Sequence, residues 1–224
     1  MQKQRFGTKE LIVMALFCAI AFASTFVFRI RIPLFPLAPW LKFDPKDCLL
    51  AIGGMLYGPI AALLISAVVS LIEMVTISDT GLIGMAMNIF STCLFILPVS
   101  YLYQRRRQLS VAILGLVFGI VLATSGMLLW NWLLVPLYTP KTTRADIVPL
   151  LWNTFLPFNL FKTTLNAVLT MLLYRSVMSA LHKAKLVSHS PITYRRKISV
   201  RLILWCLLCL AVLILVLVMW RANQ

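Results

Sequence analysis

The 224 residues predict an all-α integral membrane protein, a six-helix bundle followed by a seventh, C-terminal transmembrane helix. Three observations lead there. The chain is 61% hydrophobic and only 12% charged, with a mean hydropathy of +0.94; a water-soluble globule of this size could not hide that much apolar surface. Several apolar runs approach or exceed the ~20 residues that cross a hydrocarbon core about 30 Å thick. The basic residues behind the net charge of +15 sit mostly between and beside those runs, where Lys and Arg orient a membrane protein. No aromatic and basic surface lies outside the apolar segments, so a nucleic-acid partner is not expected.

Span one covers Leu11–Phe28, after Lys3, Arg5 and Lys9. It resembles a signal peptide, yet it is long and lacks a polar, small-residue cleavage region, so it reads as a retained helix. The loop Arg29–Asp47 holds Pro33, Pro36, Pro39 and Pro45, which forbid a regular helix. Its mixed charge and aromatics describe a structured lid. The stretch Cys48–Ile77 is broken at Gly58-Pro59. Two helices there return Arg105, Arg106 and Arg107 to the cytoplasm, with the N-terminus and the basic tail, as the positive-inside tendency requires. The first of the pair, Asp47–Tyr57, is too short to span the bilayer at ~1.5 Å per residue, so it must begin in the loop or stop short of one face. Next come Leu82–Tyr103, then Val111–Val135 ending at Pro136, a polar loop Thr139–Asp146, and a sixth run from Leu150 to Leu181. The resulting division is a membrane domain over 1–185, a basic cytoplasmic linker over 186–197 and an additional transmembrane helix within 198–224.

Enzyme chemistry is not expected. The chain has no HExxH, no GxSxG, no paired acids within one span and no Walker-type phosphate loop. Cys206 and Cys209 have CxxC spacing, but no second ligand pair accompanies them, so no metal or cofactor is expected. Glu73 is the one carboxylate well inside an apolar run; it is either a functional group or an interfacial one.

Binding is better supported. Asn159, Lys162 and Asn166 recur at spacings of three and four, hence on one helical face. Amide and ammonium groups are costly against lipid, so this face should turn inward, toward a carbonyl-bearing or polyhydroxylated ligand or as a polar clamp between helices. Asn88 and Asn131 are further intramembrane amides. Trp130, Trp132 and Tyr138 suit either interfacial anchoring or stacking on a planar ligand. Ala15, Ala19 and Ala23 form a small-residue stripe on span one, along which another helix could approach, and Gly54/Gly58 and Gly115/Gly119 repeat that spacing.

The loop Trp40-Leu41-Lys42-Phe43-Asp44-Pro45-Lys46-Asp47, followed by Ile52-Gly53-Gly54-Met55-Leu56-Tyr57-Gly58-Pro59, resembles the substrate-binding S components of energy-coupling-factor (ECF) vitamin transporters, above all the riboflavin-specific branch. The Thr80-Gly81 turn and Leu156-Pro157-Phe158-Asn159-Leu160-Phe161-Lys162 match as well. The resemblance spans about Gly7–Leu181. It implies a six-helix bundle in a bacterial plasma membrane, N-terminus cytoplasmic, that captures a vitamin from outside beneath the first loop. It implies a transmembrane coupling subunit and two ATP-binding subunits as partners, the former meeting Ala15 and Ala19. It places Asn159 and Lys162 against the ligand, with loop contacts falling on Leu41, Lys42, Phe43 and Asp44. Riboflavin leads as substrate, while folate, thiamine and pantothenate stay open, as does a stand-alone secondary carrier. The seventh run, Ile198–Trp220, departs from the six-helix plan.

Overall fold

The computed structural model describes residues 6–31, 43–78, 80–138, 143–187 and 211. The described residues are helical almost throughout: α1 (Thr8–Arg31), α2 (Lys46–Tyr57), α3 (Pro59–Thr76), α4 (Gly81–Arg105), α5 (Leu109–Tyr138), α6 (Arg144–Leu150), a π turn (Leu151–Phe155) and α7 (Leu156–Lys183). The last three form one continuous span, Arg144–Lys183, which with α1, α3, α4 and α5 makes five segments long and apolar enough to cross a membrane. All of the seventh apolar run but residue 211, and most of the linker before it, lie outside the described residues, as do Leu41 and Lys42.

The expected break falls where glycine and proline put it. Gly58 adopts φ 92°, its N–H closes α2 on the Gly54 carbonyl at 2.8 Å, and Pro59 opens α3. A left-handed residue costs glycine little, and proline suits a first helical turn. At twelve residues α2 rises about 18 Å, well short of the bilayer core. It survives because it is sheathed. Every residue from Lys46 to Met55 is buried, and α1, α3, α4 and α7 all pack against it.

Span one turns Val13, Phe17, Ala21 and Thr25 inward at four-residue spacing, while Ala15, Ala19 and Ala23 lie on its exposed side. The small-residue stripe therefore faces away from the bundle. Gly115 does the opposite. A Cβ there would sit 2.6 Å from Val99 Cα, so its bareness lets α4 and α5 touch backbone to backbone. Leu71, Val75, Leu82 and Val121 project outward, as lipid-facing side chains should.

Several boundaries differ from expectation, α1 among them, which runs on to Arg31, and two of the differences have a clear local cause. Helix α5 runs on through Pro136 to Tyr138; a proline so near a helix end removes one hydrogen bond without stopping the turn. The polar loop before the last span is shorter than expected, because Thr143 caps α6 in a capping box with Asp146, Thr143 N–H donating to Asp146 Oδ2 at 2.8 Å. The π turn then lies just before Pro157, whose missing N–H cannot serve the carbonyl of Asn153.

Candidate functional site

Five charged side chains converge where α2 begins, α3 ends and α7 begins. Asp44, Lys46, Asp47, Glu73 and Lys162 are all buried. Ions in such a place must be paired and hydrogen-bonded, and these are. Lys46 Nζ lies 3.0 Å from Asp44 Oδ2 and also donates to Glu73 Oε2. Lys162 Nζ stands 3.5 Å from Asp47 Oδ2. Hydroxyls and an amide complete the shell. Thr25 on α1 donates to Asp44 Oδ1 at 2.7 Å, Thr92 on α4 donates to Asp47 Oδ1 at 2.8 Å, and Asn88 Nδ2 donates to Glu73 Oε2 at 2.9 Å. Burial penalises the Asp44 charge, but Lys46, Lys162 and the Thr25 hydroxyl outweigh it and hold that carboxyl below its ordinary range.

The polar stripe of the last span faces the bundle interior: Asn159, Lys162 and Asn166 are 4%, 9% and 0% exposed. The three do different things. Asn166 is a clamp. Its Nδ2 donates to the Asp44 carbonyl at 3.0 Å and to the Lys162 carbonyl at 3.1 Å, and its Oδ1 accepts the Cys48 N–H at 3.2 Å. Asn159 Nδ2 donates back to the Phe155 carbonyl at 2.7 Å, at the end of the π turn. Lys162 reaches across to α2. Among the described residues its carboxylate partner is Asp47 alone, which leaves ammonium donors for other acceptors.

The remaining expected residues are distributed around this core. Phe43 and Phe161 pack edge to face, with centroids 6.3 Å apart. Asn88 serves Glu73, and Asn131 Nδ2 donates within its own helix to the Met127 carbonyl at 2.7 Å. Trp130 stacks on Phe90 at 5.1 Å, and Arg144 covers the Trp132 ring at 5.3 Å. Glu73, suspended between functional and interfacial readings, is 1% exposed and ion-paired. Sequence reasoning missed Lys46, Asp47, Thr25 and Thr92. The available signal was the alternation of acid and base over Asp44, Lys46 and Asp47 directly before a buried apolar helix.

At the other end of the bundle a cavity of about 600 Å³ is lined by the start of α1 and by Met55, Tyr57, Tyr103, Arg107, Tyr174 and Met178. The hydroxyls of Tyr103 and Tyr174 meet at 2.8 Å. None of the expected binding residues lines it.

Residues 9–174 match the family described as ECF transporter, substrate-specific component. The chain is 27% identical over 181 residues to the riboflavin transporter RibU of Staphylococcus aureus (strain TCH60), covering 78% of this chain and 93% of that protein. It is 26% identical over 174 residues to the riboflavin transporter FmnP of Bacillus subtilis (strain 168), covering 74% and 90%. A solved structure described as the S component of a bacterial ECF transporter superposes with a TM-score of 0.64 at 27% identity, over 77% of this chain and 97% of that one.

Proposed function

Because the chain belongs to the ECF transporter substrate-specific component family, we propose that it binds riboflavin at the charged end of the bundle and hands it on for uptake into the cell. The observation that carries this reading is Lys162, a buried ammonium turned into the bundle from α7 that, among the described residues, pairs with Asp47 alone. Riboflavin offers ring carbonyls, ring nitrogens and a chain of hydroxyls, all of which accept hydrogen bonds from ammonium and amide donors. Asn159 and the paired rings of Phe43 and Phe161 share that end of α7 and complete the polar and aromatic character such a ligand needs. Leu41 and Lys42, the remaining loop contacts implied by the resemblance, belong to the same proposal. Two relatives named as riboflavin transporters, matched over 93% and 90% of their own lengths, support the choice of vitamin.

The chain has no phosphate-binding loop of its own, so energy comes from partners, a transmembrane coupling subunit and two ATP-binding subunits. The exposed Ala15, Ala19 and Ala23 face of α1 is where the coupling subunit would approach, since small side chains permit close helix contact. The N-terminus and the Arg105–Arg107 end face the cytoplasm on the positive-inside argument, which puts the charged cluster toward the outside.

The test is direct. Purified full-length protein should quench the fluorescence of submicromolar riboflavin stoichiometrically. A purified, folded protein that leaves riboflavin fluorescence unchanged would remove riboflavin as the substrate. Riboflavin uptake in cells lacking the ATP-binding subunits would point instead to a carrier working alone.

A further inference from the structure

We infer that Asp47 is a positioning residue for Lys162: it aims the ammonium at the ligand and does not itself contact the vitamin. The inference rests on the riboflavin reading above and adds to it a group that the ligand need not touch. A lysine has four flexible side-chain bonds and finds one geometry only if something fixes its tip. Asp47 is suited to that task from three directions. Its Oδ1 accepts the Thr92 hydroxyl at 2.8 Å, which ties the carboxylate to α4. Its Oδ2 faces Lys162 Nζ at 3.5 Å. Its backbone is pinned from both sides by one side chain of α7, because Asn166 accepts the Cys48 N–H and donates to the Asp44 carbonyl. Asn166 lies one turn beyond Lys162, so donor and acceptor are registered against each other through the same helix.

The length of the contact matters. At 3.5 Å the pair is looser than an optimal ammonium–carboxylate hydrogen bond of about 2.8 Å. The carboxylate supplies counter-charge and direction while leaving the N–H groups free for a second acceptor. Lys46 shows the contrast, since it is held by Asp44 and Glu73 together and has no comparable freedom. Asp44 also carries a charge felt by Lys162. Without Asp47 the ammonium would be drawn toward Asp44 and away from its present line.

A double-mutant cycle on riboflavin affinity tests this in the full-length protein. Asp47→Asn should weaken riboflavin binding about tenfold or more, the scale of losing a charge-assisted contact. The same change made on a Lys162→Met background should cost almost nothing further. That dependence on Lys162 is the signature a merely structural carboxylate lacks. Should Asp47→Asn fail to fold, Thr92→Val carries the test, because it frees the carboxylate from α4 and should give a smaller loss that likewise vanishes without Lys162. Equal losses with and without Lys162, no loss at all, or tighter binding by Asp47→Asn would each overturn the positioning role while leaving riboflavin as substrate. Wild-type protein that binds no riboflavin overturns the substrate reading, and this inference with it.

Discussion

Among the described residues two lysines are buried, Lys46 and Lys162; they lie in one charged cluster and are held in contrasting ways. Lys46 is 1% exposed and gripped by carboxylates from the loop and from α3, so its ammonium joins two pieces of backbone far apart in sequence. Among the described residues Lys162 meets one carboxylate, at a looser distance, and keeps part of its side chain accessible, at 11%. The difference shows two ways of holding a charge inside a membrane protein. An ion gripped by two carboxylates is fixed in the fold, whereas one that faces a single carboxylate at a looser distance has more donors left for a ligand.

The largest effect expected from breaking this contrast is Lys46→Met. It leaves Asp44 and Glu73 buried with no cation between them, a loss of the order of 3–5 kcal/mol when one partner of a buried pair is removed. Thermal unfolding of the purified, ligand-free protein should show a large fall in melting temperature or no cooperative transition; wild-type stability would strip Lys46 of its structural role. Lys162→Met comes second and inverts the pattern. Riboflavin affinity should fall about tenfold or more, in line with a charged hydrogen bond worth roughly 1.5–3 kcal/mol, while the melting temperature drops less than for Lys46→Met. Fluorescence titration and thermal unfolding on the same preparations read both quantities. Unchanged affinity would take Lys162 out of the site. Asn166→Ala sharpens the comparison from the side. It leaves the Cys48 N–H only its 3.3 Å bond to the Pro45 carbonyl and strips the Asp44 carbonyl of its amide donor, and should cost about 1–3 kcal/mol of stability. Its effect on riboflavin affinity should be smaller than that of Lys162→Met. A larger one would make Asn166 a direct ligand contact.

Sequence periodicity revealed one half of this buried polar cluster and hid the other. Asn159, Lys162 and Asn166 stand out because helical spacing places them on one face and lipid would penalise them there. Gly58-Pro59 is legible for a comparably local reason, a residue permissive of positive φ followed by one that starts helices. Lys46 and Asp47 are not legible in this way. They lie among prolines and mixed charge that read as an external lid, and their partners stand far off in the chain: Glu73 is 27 residues from Lys46, and Thr92 is 45 from Asp47. No local pattern encodes which acid a given lysine will find. Glu73 was conspicuous as a lone carboxylate in an apolar run, yet its role could be read only once Lys46 was seen against it. The alanine stripe was legible as a pattern but not as a direction. Its outward orientation is set by Val13, Phe17 and Ala21 burying the opposite side.

The brevity of α2 has a structural consequence. One tip of this twelve-residue rod carries Lys46 and Asp47, and the other, at Met55–Tyr57, forms part of the wall of the 600 Å³ cavity at the far end. Four neighbouring helices enclose it, and a close-packed interior resists compression. The charged tip and the wall of that remote chamber are therefore two ends of a single short helix held in one close-packed sleeve.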